Sequence, residues 1–326
     1  MGLLTSNIIL GMGNSKIFHD FEIDPASVNA DFTVHESALP KQRVDGKIIT
    51  KAGRYRCMIE YQTIENQGRY GIIQTCKRTD TDNLSKSVVV KRPRSPSISL
   101  APEAILQGVC YDCLEINGLA GSISKIHDLF LFANEVRFSM EFIDGISFKE
   151  FIKSHTGDEI INCIMQLCYI LYILERDLNF DHRDLRIENV WIRPLTSTQT
   201  YTIQIENLPD QILEFNFQVV LLDFGFACIG DNFRKTIVNL GDNVFTPIDP
   251  CPKSGRDMYQ FLISCFENRI QDHLFKDFTE FIIKQIKPYT IIPSALSYIT
   301  TYDPKFELNN LKPGELLRWD FRNAQL

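Results

Sequence analysis

His182-Arg183-Asp184-Leu185-Arg186-Ile187-Glu188-Asn189 and, thirty-four residues after Asn189, Asp223-Phe224-Gly225 are the stretches on which the reading of this chain turns. The first follows a long helical pattern that opens at Asp158 and runs through Leu178, and the second ends the apolar, strand-like run Val219 to Leu222. Either motif alone is within reach of chance. Both together, in this order and each after regular structure, make coincidence a poor explanation.

Upstream of these motifs the pattern is β-type. From Met1 to about Lys51 no sustained period holds, which predicts an extension that wraps or precedes the first lobe. Tyr55 to Ile64, Gly71 to Lys77 and Ser87 to Lys91 are then rich in branched and aromatic residues and are separated by Gly, Asn, Asp and Thr. Pro102 opens a helical pattern with Ala104, Ile105, Val109 and Cys113 on one side. Strand-like segments return at Ile126 to Phe132 and Val136 to Phe142. After Asp144-Gly145 long helical patterns take over, the last of them following Gly255. The expectation is an α+β, two-lobed chain: an extension at 1–51, a lobe at 52–143 built on a small antiparallel sheet, and a mainly helical, somewhat trimmed lobe at 144–326. Alternation from about Pro194 to Gln218 predicts a hairpin inserted in the second lobe.

Composition narrows the partners. With 326 residues, 44% of them hydrophobic, the chain can bury one or two substantial cores. A formal net charge of -7 argues against a protein whose main task is neutralising nucleic-acid phosphates, so no nucleic-acid partner is expected. Nine cysteines are scattered, and the one close pair, Cys110 and Cys113, lacks the further ligands of a zinc site; reduced thiols are expected. The apolar run from Ile164 to Leu174 is too short to span a bilayer and reads as a buried helix. Met1-Gly2-Leu3-Leu4-Thr5-Ser6 fits the N-myristoylation pattern, so membrane contact is expected only if Gly2 is acylated.

The two opening motifs resemble the catalytic loop and the metal-binding motif of the eukaryotic-type protein kinase family, a resemblance that covers about residues 60 to 270. It implies transfer of the ATP γ-phosphoryl group, assisted by Mg²⁺, to a hydroxyl of a protein substrate. In that likeness Asp184 orients the attacking hydroxyl and takes its proton, Asn189 and Asp223 hold the metal, and Arg186 stands where serine/threonine kinases typically carry lysine. Val88-Val89-Val90-Lys91 resembles the strand whose lysine meets the α- and β-phosphates, with Glu103 as its expected carboxylate and Glu115 as the fallback. Asn66-Gln67-Gly68-Arg69-Tyr70-Gly71 is similar to the glycine-rich loop that covers phosphates; Gly68, Tyr70 and Gly71 are its candidate contacts. Met140-Glu141-Phe142-Ile143 resembles the hinge, with Met140 behind the adenine, the Glu141 carbonyl and Ile143 amide facing it, and Val89 and Trp191 above and below. Asp257 matches the helix aspartate that braces the catalytic loop.

Several residues depart from the pattern. Val89 stands where a small alanine is usual, and Trp191 where an aliphatic floor is usual. Thr246-Pro247-Ile248-Asp249-Pro250 replaces the usual end of the activation segment. These departures leave two alternatives beside a serine/threonine protein kinase: a pseudokinase scaffold with a blocked pocket, or a small-molecule kinase of related fold. Arg183 is expected to pair with a phosphorylated residue, Thr236 or Thr246. Reduced cysteine usage and the absence of a secretory signal lead to the expectation of a cytoplasmic protein, and the trimmed, insert-bearing chain is similar to kinases of large DNA viruses, which implies a virion or its host's cytoplasm instead. Oligomeric state is not legible.

Overall fold

The computed structural model describes residues 16–21, 23, 34–67, 71–95, 97–205, 209–230, 252–268 and 311–318. In chain order the elements are α1 (Lys16–Asp20), β1 (Lys41–Gln42), β2 (Lys47–Ile49), β3 (Tyr55–Gln67), β4 (Gly71–Asp80), β5 (Ser85–Pro93), α2 (Ala101–Ile116), β6 (Ile126–Phe132), β7 (Glu135–Glu141) and β8 (Ile146–Ser147). There follow α3 (Phe148–Phe151), α4 (Gly157–Leu178), β9 (Val190–Ile203), β10 (Gln211–Leu221), a 3-10 turn at Phe224–Phe226, α5 (Arg256–Glu267) and α6 (Pro313–Leu317).

Local chemistry sets the boundaries. The β6–β7 hairpin turns through Ala133 and Asn134, both at positive φ (51° and 62°), the two-residue turn whose twist matches that of paired strands. At the start of α4 the Thr156 hydroxyl accepts from the Glu159 amide, while the Glu159 carboxylate accepts from the Thr156 amide, so two orphan donors of the first turn are satisfied at once. The helix ends at Asn179, which adopts a left-handed conformation (φ 50°).

Seven strands close into a barrel in the order β1-β2-β3-β4-β5-β7-β6. Every pairing is antiparallel except the closing one, where Lys41 of β1 lies beside Leu131 of β6 in parallel. Because side chains alternate across a strand, each strand serves two environments. One face carries Ile48, Cys57, Ile59, Cys76, Val88, Val90 and Phe130, a cluster separate from the main core. The opposite face carries Leu129, Val136 and Phe138, which join α2 and α4 in that main core. The barrel side also holds a buried charge: Asp128 on β6 accepts from Arg56 Nε (3.0 Å), Arg78 Nε (2.7 Å), Arg78 Nη2 (3.1 Å) and Ser139 Oγ (2.5 Å). Burial opposes its charge, but these partners prevail, Arg78 foremost, and hold its carboxyl well below the usual carboxylate range. A second, separate sheet has the order β10-β9-β8.

The two-lobed expectation, with a small antiparallel sheet and a mainly helical second lobe, is therefore corrected. The sheet is a closed, mixed barrel, and helices are few: among the described residues only α2, α4 and α5 exceed two turns. Two physical features account for the difference. Lys41–Gln42 and Lys47–Ile49 are too short to show a period, yet they supply the strands that close the sheet. Beyond residue 144, β9 and β10 pair over most of their length, from Val190↔Leu221 to Ile203↔Gln211, with a bulge near Phe215. Seven of the eight described cysteines are buried free thiols, whereas Cys228 is disulfide-bonded. By length and composition α4 could cross a membrane, but 72% of its most apolar window is buried within the protein.

Asp128 makes a test of the barrel. Asp128→Asn keeps the side chain's shape and leaves two guanidinium groups without their carboxylate, so stability should fall by about 3–5 kcal/mol in chemical denaturation. A carboxyl depressed by folding adds stability that is present above its unfolded value, ~3.9, and is lost as pH falls through the folded one. The wild type should therefore lose stability below about pH 4, and the variant should show a flatter acid profile.

Candidate functional site

Strand β5 presents Val88 and Val90 to the barrel interior, so Lys91 must emerge on the other face, toward α2. There its Nζ donates to Glu103 Oε1 on α2 (2.5 Å) and to Asp223 Oδ1 (2.8 Å). Lys91 is 7% exposed and Glu103 1%. Burial alone would discharge the ammonium; Asp223 and then Glu103 outweigh it and raise the Lys91 pKa above its ordinary value. Glu115, the alternative partner, lies at the far end of α2 and pairs with Lys16 instead (2.7 Å). Gly71 on β4 packs against this lysine: a Cβ there would stand 2.9 Å from Lys91 Cε, so a glycine is what lets the side chain lie across the strand. Gly68 and Tyr70 lie outside the described residues.

The turn that carries Asp223 is held in an uncommon backbone. Asp223 has φ 61°, and Phe224 packs behind it against Phe180 and His182, with ring centroids 5.9 and 5.4 Å away. His182 Nε2 lies 3.0 Å from the Leu222 carbonyl, which can only accept, so that nitrogen carries the proton. Burial lowers the His182 pKa, which keeps the ring neutral.

Asp184 and Asn189 come together across the loop. Asn189 Nδ2 donates to the Asp184 carbonyl (2.8 Å) and reaches its carboxylate at 3.3 Å, and Arg186 Nε lies 3.5 Å from Asp184 Oδ1. Burial pushes the Asp184 carboxyl up to about 6; Arg186 opposes this and the Asp223 charge adds to it. With its amide nitrogen engaged, Asn189 has its oxygen left to offer. The Asp223 carboxylate, besides its bond to Lys91, is met by the Gly225 amide, on a side chain 44% exposed. Asn189 and Asp223 offer hard oxygens of the kind Mg²⁺ prefers, while among the described residues no group of three or more His, Cys, Asp or Glu side chains forms a metal cluster.

The loop from 181 to 189 hangs on α5. Asp257 accepts from the amides of His182 (2.8 Å) and Arg183 (2.9 Å). Gln260 accepts from the Leu185 amide (3.1 Å) and donates to the Arg183 carbonyl (3.0 Å), and Ser264 Oγ accepts from the Ile187 amide (3.3 Å). Sequence reading found Asp257 but missed Gln260 and Ser264. Their spacing of three and four residues, placing three polar groups on one stripe of an apolar helix, was the available signal. Burial, then the neighbouring Asp181 carboxylate, push the Asp257 carboxyl well above its ordinary value.

The remaining expected residues lie on β5, on β7 and the stretch after it, and on β9. Val89 pairs with Met140, and Met140 Sδ is 3.8 Å from Gln107 Nε2. The Glu141 carbonyl accepts from Ser124 Oγ (2.9 Å), leaving one lone pair, and its carboxylate pairs with Arg193 (2.9 Å). Ile143 is buried, and Trp191, half-buried on β9, pairs with Ser147 and Val220. Gly145 is tightly placed beside this strand, with room for no Cβ before the Ile192 carbonyl.

Replacing Asp257 tests the clamp. Asp257→Ala orphans the buried His182 amide and leaves the Arg183 amide to Asp181 Oδ1 alone at 3.2 Å, so a destabilisation of about 1–3 kcal/mol is expected. Hydrogen exchange should quicken at 182–187 and not in β3–β5.

Comparison with known proteins adds a distant likeness. Over 247 residues, 73% of its length, the chain is 23% identical to a protein of Invertebrate iridescent virus 3 named "Probable kinase 098L". The chain spans 44% of that relative's length. No family model matches the chain. The likeness points to a kinase-type enzyme.

Proposed function

We propose that this chain is an ATP-dependent protein kinase, acting on serine or threonine in preference to tyrosine, with Mg²⁺ held by Asn189 and Asp223. The observation that carries the reading is the buried ion cluster of Lys91, Glu103 and Asp223 beside the Asp184–Asn189 pair. A buried ammonium fixed between two carboxylates is a placed positive charge, suited to the phosphates of ATP. Bound Mg²⁺ would neutralise the charge of the transferring phosphoryl group. The oxygen of the incoming hydroxyl forms its bond to the γ-phosphorus as the bond from that phosphorus to ADP breaks. Asp184 takes the hydroxyl proton, a role that suits a carboxyl which is ionised at neutral pH and more basic than an exposed aspartate. Arg186, close to Asp184, steadies its charge.

Purified protein should bind ATP in a Mg²⁺-dependent way and transfer phosphate to protein hydroxyls. Asp184→Asn should lower turnover at least ~10²-fold while binding persists. Lys91→Ala should weaken both. A wild-type protein that binds no Mg-ATP would replace this reading with a scaffold, implicating Val89 and Trp191. Transfer to small hydroxylated metabolites alone would replace it with a small-molecule kinase.

A further inference from the structure

Asp181, which precedes the catalytic stretch, joins three parts of the chain. Its backbone pairs both ways with Cys228, amide to carbonyl at 3.0 Å and carbonyl from amide at 2.9 Å, tying the loop to the segment after Asp223. Its Oδ1 accepts from the Arg183 amide (3.2 Å), and its Oδ2 accepts from the Lys253 amide (2.9 Å) at the entry to α5. Arg256 Nε lies 3.5 Å from the same Oδ2, with both side chains almost wholly buried. Asp257 and Glu175 stand near Asp181, and in both burial first and the Asp181 charge second raise the carboxyl, Glu175 to about 8.

Arg183 is the residue expected to receive a phosphate from Thr236 or Thr246, both of which lie outside the described residues. It is wholly buried, at 0% exposure, with φ 65°. A phosphate reaches such a guanidinium only by being buried with it, at a steep desolvation cost. Its left-handed backbone is instead secured by two carboxylates on one amide, those of Asp181 and Asp257.

We infer that Asp181 is a positioning residue that holds the catalytic loop in its working shape from within, so that phosphate transfer does not require phosphorylation of the segment after Asp223. The inference rests on the kinase reading above. Its logic is that the Asp181 side chain and backbone supply the tie between loop, segment and helix that a phosphate would otherwise bring.

The test compares phosphatase-treated wild type, Asp181→Ala and Asp181→Asn, each checked for stabilisation by Mg-ATP in thermal unfolding. The expected result is that treated wild type keeps its turnover within about twofold. Asp181→Ala should lose at least tenfold in kcat with KM for ATP within about twofold, and Asp181→Asn, which keeps an oxygen for the Arg183 amide, should fall between. If Asp181→Ala does not fold, the graded loss is read from Asp181→Asn alone. Wild type that binds Mg-ATP but transfers phosphate only when Thr236 or Thr246 is phosphorylated overturns the inference, as does wild-type kcat in either variant. Wild type that binds no Mg-ATP sinks the kinase reading itself, a separate outcome.

Discussion

An ammonium buried away from water must have carboxylates around it, and Lys91 takes its two from elements far apart in the chain. Glu103 arrives on α2, twelve residues later, and Asp223 on the turn after β10, another hundred and twenty beyond. The barrel, the helix against it and the β9–β10 hairpin are thus pinned at one charge. Removing Lys91 leaves Glu103 buried and unmatched, and removing either carboxylate leaves the buried ammonium with one partner instead of two. This explains why the surroundings are so constrained: Gly71 bears no Cβ because Lys91 must cross over it, and Val88 and Val90 fix by alternation the side from which Lys91 emerges.

The barrel answers a related problem by the same means. An open sheet would leave Asp128 on an edge strand, β6, far along the sheet from Arg56 on β3 and Arg78 on β4, whereas closure through β1 and β6 brings the three together beside an apolar cluster. Enclosure strengthens the interaction of Asp128 with Arg56 and Arg78 and makes it costly to disturb. The strand that bears Lys91 therefore has a packed apolar wall on one face and the charges of Lys91, Glu103 and Asp223 on the other. Such a wall is what keeps a reactive ammonium from drifting.

What was legible in the sequence follows from how local each feature is. Lys91 at the end of a strand and Glu103 at the start of a helix are a short-range pattern, and Asp184 and Asn189 share one loop, so their types and spacing could be read directly. Closure of the barrel was not legible. It depends on two strands of two and three residues and one parallel pairing across ninety residues, none of which leaves a period in the sequence. The partners of Asp128 come from three other strands, β3, β4 and β7, and no spacing links Arg56, Arg78, Asp128 and Ser139. Gln260 and Ser264 could have been found from the stripe they share with Asp257. Asp181 could not, because an aspartate beside a turn reads as an ordinary cap until its partners are known.

Strain and its compensation connect these features to function. Arg183 and Asp223 both sit at positive φ without being glycine, a conformation that costs of order 1–3 kcal/mol and survives only when its surroundings over-determine it. At Arg183 the determinants are Asp181, Asp257 and Gln260, and at Asp223 they are Lys91 and the packing of Phe224. Two strained residues on either side of the Asp184–Asn189 pair mean that each motif is held from outside itself: one by α5, the other by the barrel and α2. The two are also tied directly, the Leu222 amide donating to the Asn189 carbonyl and His182 Nε2 to the Leu222 carbonyl (both 3.0 Å), so a disturbance of either support reaches both motifs. The separation of Asp184 from Asp223, on which any joint action of the two depends, is therefore set by the packing of α5 and of the barrel against the common core around α4.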